Sequence, residues 1–235
     1  MLATDPLLVV LAGGLGTRLE SMTEKIPKFL IEIDNQPFGK YFLDRYQSLG
    51  FKRFHFCLGH MSAQIVLFIN EYQTKNPQLK ISSSVDLPGQ RSTLAALVNA
   101  RQKGFLDPQF CLTYGDSYLL ADCFEIATRL IASNKNIMTV NQNDNKGDKS
   151  NCEVSNGLVM EYSKTSSKEF NWIDYGFLIL ENFRLDKNIF SLENLLERLA
   201  NSGDLRAEIV NEGFLEVGSH KGIENFTAYI RTLSR

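Results

Sequence analysis

The chain has 235 residues, 43% of them hydrophobic and 22% charged, with a formal net charge of −2. That length and apolar share fit one large α/β domain or two lobes; they exclude a many-domain chain and wholesale disorder. The near-neutral balance supplies no global field for nucleic acid or an anionic membrane, while leaving room for a local basic pocket.

Met1–Pro6 lacks the basic start of a secretory signal, and the apolar run from Leu7 to Ala12 is too short to span a bilayer. These features predict a cytosolic protein with no membrane or nucleic-acid partner. In chain order, β-rich apolar runs at Leu7–Leu11, Phe54–Leu58, Leu79–Val85, Phe110–Tyr114, Ile137–Val140, Gly157–Tyr162, Ile173–Leu180 and Phe214–Val217 predict strands. Helical spacing predicts helices over Phe38–Leu49, ending at Gly50, and over Met61–Tyr72, Thr93–Ala100, Ala121–Ala132, Leu192–Ala200 and Gly222–Leu233. Ser21–Pro27 and Asn141–Asn151 read as polar loops. Strand and helix alternate through about residue 140, and a more β-rich stretch follows. This predicts an α/β, Rossmann-like three-layer fold with a mostly parallel central sheet. No linker divides the chain, so one domain is expected over 1–235, with halves at 1–140 and 141–235.

Cys57, Cys111, Cys123 and Cys152 form no C-x-x-C and lie in or beside apolar runs, as buried thiols do in a reducing compartment. His55, His60 and His220 lack ligand-like spacing, which argues against zinc. Ser117 and Ser219 lie outside any G-x-S-x-G elbow, so a hydrolase nucleophile is unsupported.

The most informative stretch is Leu7-Leu8-Val9-Val10-Leu11-Ala12-Gly13-Gly14-Leu15-Gly16-Thr17-Arg18-Leu19. A buried strand runs into a glycine-rich turn, the place where open α/β sheets bind ligands. Glycines let backbone N–H groups reach a phosphate, and Arg18 adds a fork of donors. The stretch lacks the Lys of a P-loop and the third glycine of a dinucleotide fingerprint. Taken alone, it is either a phosphate cup or a plain connecting turn.

Ten residues beyond Arg18 comes Pro27-Lys28-Phe29-Leu30. L-A-G-G-L-G-T-R-L followed by P-K-F-L resembles the signature of the sugar-1-phosphate nucleotidyltransferases, the pyrophosphorylases that make NDP-sugars. The resemblance implies an enzyme of the EC 2.7.7 type that joins an NTP and a sugar 1-phosphate, with release of pyrophosphate and with Mg²⁺ as cofactor. It implies catalytic roles for Arg18 and Lys28, and nucleotide contacts from Leu11, Ala12, Gly13, Gly14, Gly16, Thr17, Ser92, Thr93 and Gly115. Thr113-Tyr114-Gly115-Asp116 resembles the family's metal-aspartate motif. Glu216, in Glu216-Val217-Gly218-Ser219, stands where the family usually has a second Asp. Ile173-Asp174-Tyr175-Gly176 resembles the strand lining the sugar pocket, and Lys164 lies near the place of a sugar-phosphate lysine.

The short length and the T-Y-G-D-S-Y-L, I-D-Y-G and E-V-G-S strings are most similar to the heptose-1-phosphate guanylyltransferase branch. That branch implies GTP, heptose 1-phosphate and a place in surface polysaccharide synthesis. A homo-oligomer is compatible with all of this. Two other classes stand beside it: a nucleotide or sugar-nucleotide sensor without turnover, and a GT-A-like glycosyltransferase, whose usual D-x-D is absent at Gly115-Asp116-Ser117. Within the enzyme class, a non-sugar phosphate acceptor is the alternative.

Overall fold

The computed structural model describes residues 5–14, 16, 19, 22–86, 92–143 and 148–233. The chain runs β1 (Leu7–Leu11), β2 (Glu32–Ile33), β3 (Gln36–Pro37), α1 (Phe38–Leu49), β4 (Arg53–Leu58), α2 (Ser62–Lys75), β5 (Lys80–Val85) and α3 (Thr93–Gln102). It continues through β6 (Gln109–Tyr114), β7 (Ser117–Leu119), α4 (Cys123–Leu130), β8 (Asn136–Gln142), β9 (Cys152–Ser155) and β10 (Leu158–Tyr162). The remainder is β11 (Trp172–Glu181), α5 (Leu192–Asn201), β12 (Leu205–Ile209), β13 (Phe214–Glu216) and α6 (His220–Leu233).

Nine strands form one sheet in the order β5-β4-β1-β6-β11-β8-β12-β10-β9. β10 and β11 run against the other seven. β1 is apolar throughout because both of its faces are covered. Leu8 and Val10 face the layer of α1, α2, α4 and α6, whereas Leu7 and Val9 face α3 and α5. The chain leaves β1 toward β4 and β5 and returns across α3 to β6, so the switch in winding direction falls between β1 and β6. Ligands bind at such a crevice in open α/β sheets.

Each strand and helix expected from the sequence is present. The pattern missed β2–β3, β7, β9 and β12. The β2–β3 hairpin turns at Asp34 and Asn35, with φ of 51° and 65°, a left-handed pair that suits a two-residue hairpin. The other three are short, and β12 (Leu-Arg-Ala-Glu-Ile) alternates too weakly to stand out. Residues 144–147 of the expected polar loop lie outside the described residues. All four cysteines are buried free thiols, and burial pushes Cys57 up to about 12. No helix among the described residues is long and apolar enough to cross a membrane.

One buried polar group stands inside this frame. His55 on β4 is fully buried, with Nδ1 2.8 Å from Ser82 Oγ and Nε2 3.0 Å from Ser84 Oγ. Its ring stacks on Phe105 at 4.5 Å. Burial, aided by Lys103, lowers its pKa to about 4. The unfolded chain therefore takes up a proton near pH 6.5 that the native state refuses until about pH 4. His55 thus contributes stability above pH 6.5 that is lost as the pH falls toward 4. The prediction is that the urea midpoint drops between pH 7 and pH 4.5, and that His55→Gln shrinks the drop; an equal drop in both proteins would count against it.

Candidate active site

The glycine loop lies over the ends of β1 and β4. Ala12 N–H donates to Cys57 O at 2.9 Å, and His60 N–H donates to Gly13 O at 3.3 Å. A Cβ on Gly13 would stand 2.9 Å from Gly59 N, so the two backbones meet where no side chain fits. Gly16 adopts φ +68°, and its carbonyl accepts from Thr23 Oγ1 at 3.0 Å. Gly14 faces open space. Thr17 and Arg18 lie outside the described residues.

The β1–β6 pairing continues one step beyond the strands, because Gly115 N–H donates to Leu11 O at 2.9 Å. A Cβ on Gly115 would come within 2.9 Å of Ala12 Cβ, so only glycine closes this contact. Asp116 follows at the tip. Its neighbour on the β7–β13 ribbon is the end of β13, where Glu216 pairs with Ser117 and Val217 N–H donates to Asp116 O at 2.9 Å. Two carboxylates about 100 residues apart in sequence thus share one edge of the molecule.

Lys28 reaches the same edge on a 3₁₀ turn, Lys28–Leu30, anchored by buried Phe29. The Phe29 ring meets Phe38, Phe42, Phe56 and Phe68 at centroid distances of 5.4–6.3 Å. Lys28 Nζ lies 3.0 Å from Asp116 Oδ2. The Glu216 carboxylate folds back to accept from Gly218 N–H and the Ser219 hydroxyl. Ser219 Oγ in turn accepts from Gly222 N–H at 3.0 Å at the start of α6. A Cβ on Gly218 would stand 2.8 Å from Glu216 Oε2, 3.2 Å from Lys28 Nζ and 3.5 Å from Asp116 Oδ2. Three charged groups therefore converge around one glycine.

Mg²⁺ takes hard oxygen donors, commonly one or two carboxylates completed by substrate phosphates. Asp116 and Glu216 offer such a pair, so the donors present fit the ion. Among the described residues no group of three or more His, Cys, Asp or Glu side chains forms a closed cage.

A second cluster lies along β11. Asp174 Oδ1 accepts from Gly176 N–H at 2.9 Å, and burial raises its pKa against the opposing pull of Lys164. Lys164 Nζ lies 3.7 Å from Glu193 Oε1 and 5.3 Å from the Tyr114 ring centroid. The buried Tyr114 hydroxyl has no hydrogen-bond partner among the described residues. Asp174, Lys164 and Gly176 are thus together, joined by Glu193, which no motif flagged, and by Tyr114, which the sequence reading quoted inside a motif without giving it a role.

Tyr175 departs from its expected place beside the sugar. Its side chain is buried among the core residues on the α1 face, away from Asp174, since successive residues of a strand face opposite sides. Ser92, expected among the nucleotide contacts at the helix start, precedes α3, and its hydroxyl donates to Phe190 O at 2.9 Å. Thr93 is the first residue of that helix. Near it, Asp86 follows β5, with Oδ2 3.0 Å from where a Gly59 Cβ would stand. Its carboxylate has no hydrogen-bond or ion-pair partner among the described residues, and burial pushes its pKa up to about 6.

The chain is 27% identical over 218 residues to a probable glucose-1-phosphate cytidylyltransferase of Bacillus subtilis, covering 84% of this chain and 85% of that protein. Among solved structures, HddC of Yersinia pseudotuberculosis in complex with GMP-PN aligns with TM-score 0.74 at 21% identity, over 96% of this chain and 99% of that one. This is the sugar-1-phosphate nucleotidyltransferase fold. A putative glucose-1-phosphate thymidylyltransferase of Bacillus anthracis aligns with TM-score 0.81 at 14% identity, over 96% and 95% of the two chains. No family model matches the chain. Its homologues are sugar-phosphate nucleotidyltransferases, a transferase class.

The Glu216 geometry makes a testable demand. A Cβ on Gly222 would overlap the Glu216 carboxylate. Gly→Ala inside a helix ordinarily stabilises by about 0.5–1 kcal/mol. Gly222→Ala is expected to reverse that sign and lower the melting temperature. A raised melting temperature would show instead that the Glu216 side chain and its backbone carbonyl, which that Cβ would also overlap, both give way freely.

Proposed function

We propose that this chain transfers a nucleotidyl group from an NTP to a sugar 1-phosphate and releases pyrophosphate, supplying a nucleotide sugar for polysaccharide synthesis in the cytoplasm. The observation that carries the reading is the meeting of Lys28, Asp116 and Glu216 around Gly218, at the sheet edge that also holds the glycine loop. The half up to residue 140 would hold most of the nucleotide, and the half from 141 the sugar phosphate beside Asp174, Lys164 and Gly176.

The chemistry needs no protein nucleophile. An acceptor phosphate oxygen attacks the α-phosphorus, a new O–P bond forms, and the bond to pyrophosphate breaks with its electron pair leaving on pyrophosphate. The acceptor is already anionic near neutral pH, so positioning and charge neutralisation carry the catalysis. Lys28 would bridge the α-phosphate and the incoming phosphate, and Arg18 would hold the leaving phosphates. Asp116 and Glu216 would hold Mg²⁺, which neutralises the triphosphate when bound. Gly14, which faces open space, would leave its backbone open to phosphate oxygens.

For the base we propose guanine. The names of the relatives differ on this point, and the support is Asp86. A carboxylate only accepts hydrogen bonds. Guanine alone places two adjacent donors, N1–H and the N2 amino group, on its pairing edge, whereas the other bases set an acceptor beside each donor. For the acceptor, a heptose 1-phosphate is the specific proposal.

Pyrophosphate release is to be measured with each NTP against heptose, mannose and glucose 1-phosphates, with and without Mg²⁺. GTP should be preferred over ITP, which lacks the N2 amino group, by about tenfold or more, the worth of one hydrogen bond to a charged group. Equal use of GTP and ITP would remove Asp86 from base reading. Lys28→Ala and Arg18→Ala should each cut turnover by about 10²-fold or more; near-normal rates in both would sink those roles.

A further inference from the structure

Glu216 ends, and Asp116 leads into, a two-stranded ribbon that lies outside the main sheet. Among the described residues β7 and β13 pair with each other alone, over Phe214–Leu119, Leu215–Tyr118 and Glu216–Ser117. A ladder of three residue pairs gives little of its own stability, so side chains from elsewhere must fix where the ribbon lies.

Two side chains do this at the end away from the carboxylates. The Tyr175 hydroxyl accepts from Leu120 N–H at 3.0 Å and from Ala121 N–H at 2.9 Å, and donates to Gly213 O at 2.8 Å. Leu120 and Gly213 flank the two strands, so one oxygen ties both to β11. Two accepted bonds and one donated bond use the hydroxyl's main capacity. Burial pushes its pKa up to about 12, so the donor proton is retained at neutral pH. From α1, the Arg45 guanidinium donates to the carbonyls of Leu119, Leu120 and Ala121 at 3.3, 2.7 and 3.2 Å. The turn at 119–121 thus has its amides taken by Tyr175 and its carbonyls by Arg45. The Tyr175 ring packs edge-on to Phe214, 5.9 Å away, so the ring and the hydroxyl grip the same ribbon.

We propose that Tyr175 is a positioning residue: its hydroxyl, with Arg45 as partner, sets the place of the β7–β13 ribbon and so of the Asp116 and Glu216 carboxylates. The inference rests on the reading of those carboxylates as metal ligands. β11 carries residues of both sites in sequence, because Asp174 enters the acceptor cluster and the next residue reaches under the ribbon. A register shift between Asp174 and Leu178, with Gly176 at φ +95°, makes room for both.

The test uses Mn²⁺ alone as probe, titrated into the free protein and followed by its electron paramagnetic resonance signal. Tyr175→Phe keeps the ring and removes only the hydroxyl. It is expected to weaken Mn²⁺ binding by up to about tenfold, the lower end of the scale for losing a group that hydrogen-bonds a ligand directly, because Tyr175 acts through the ribbon backbone. The metal concentration for half-maximal turnover should rise in step, while KM for the sugar phosphate stays unchanged. Leu199→Ala, in α5 of the opposite layer, serves as a destabilised control and should leave Mn²⁺ affinity intact. Arg45→Lys, which keeps the charge and loses the fork, provides a second variant should Tyr175→Phe fail to fold, and should weaken Mn²⁺ as well. Unchanged Mn²⁺ affinity in folded Tyr175→Phe, or an equal loss in Leu199→Ala, overturns the proposal. Absence of Mn²⁺ binding by the wild-type protein overturns the metal reading and the role of Tyr175 together. Mn²⁺ binding without pyrophosphate release from any substrate pair overturns the proposed reaction alone, because the Tyr175 comparison is still read from metal affinity.

Discussion

The arrangement of the site depends first on the parallel pairing of β1 with β6. That pairing places the end of one buried strand beside the end of another, and the Gly115–Leu11 hydrogen bond at 2.9 Å carries it one residue past the sheet. A side chain at 115 would wedge Ala12 and Asp116 apart. The glycine loop and the first carboxylate are neighbours because two backbones approach more closely than any Cβ permits. The reversal of winding at the same point leaves the crevice above them uncovered by a helix.

The charged groups are then held by unlike means. Lys28 owes its place to an aromatic anchor one residue away, so the core fixes the position of a surface cation. Glu216 is longer than the Asp the family resemblance predicts at its position, and the extra methylene has to be absorbed. The structure absorbs it by folding the carboxylate back onto Gly218 N–H and Ser219, over a helix start where Gly222 leaves room. The substitution and the glycine therefore form one local solution.

Much of this was legible in the sequence, and the divisions have physical causes. β1 and β6 stand out because strands buried on both faces must be continuously apolar. The glycine loop stands out because close backbone approach restricts the residues allowed, and Pro27-Lys28 stands out through the family resemblance. Asp116 and Glu216 were found as strand-end carboxylates. By contrast, β9 and β12 lie near the far edge of the sheet, where alternation is weak and short. Tyr175 was misplaced because its neighbours Asp174 and Gly176 lie in the cluster with Lys164 and Tyr114, and strand alternation turns the intervening side chain to the other layer. Arg45 and Glu193 carry no local signature, and Tyr114 drew notice only as part of the Asp116 motif: their contacts are with segments dozens of residues away, which no window along the chain contains.

The four thiols have a consequence for how this protein can be observed. Each is enclosed by packed side chains, and Cys57, Cys111, Cys123 and Cys152 occur in different parts of the fold. A thiolate is the reactive form, and burial here disfavours it at every position. Alkylation can therefore proceed only during transient opening, and its rate at each cysteine becomes a clock for the opening of that region. Cys111 and Cys57, on the two strands that flank β1, report on the centre of the sheet, whereas Cys152 reports on the far strands. The molecule thus carries its own set of local labels for tracking which part yields first.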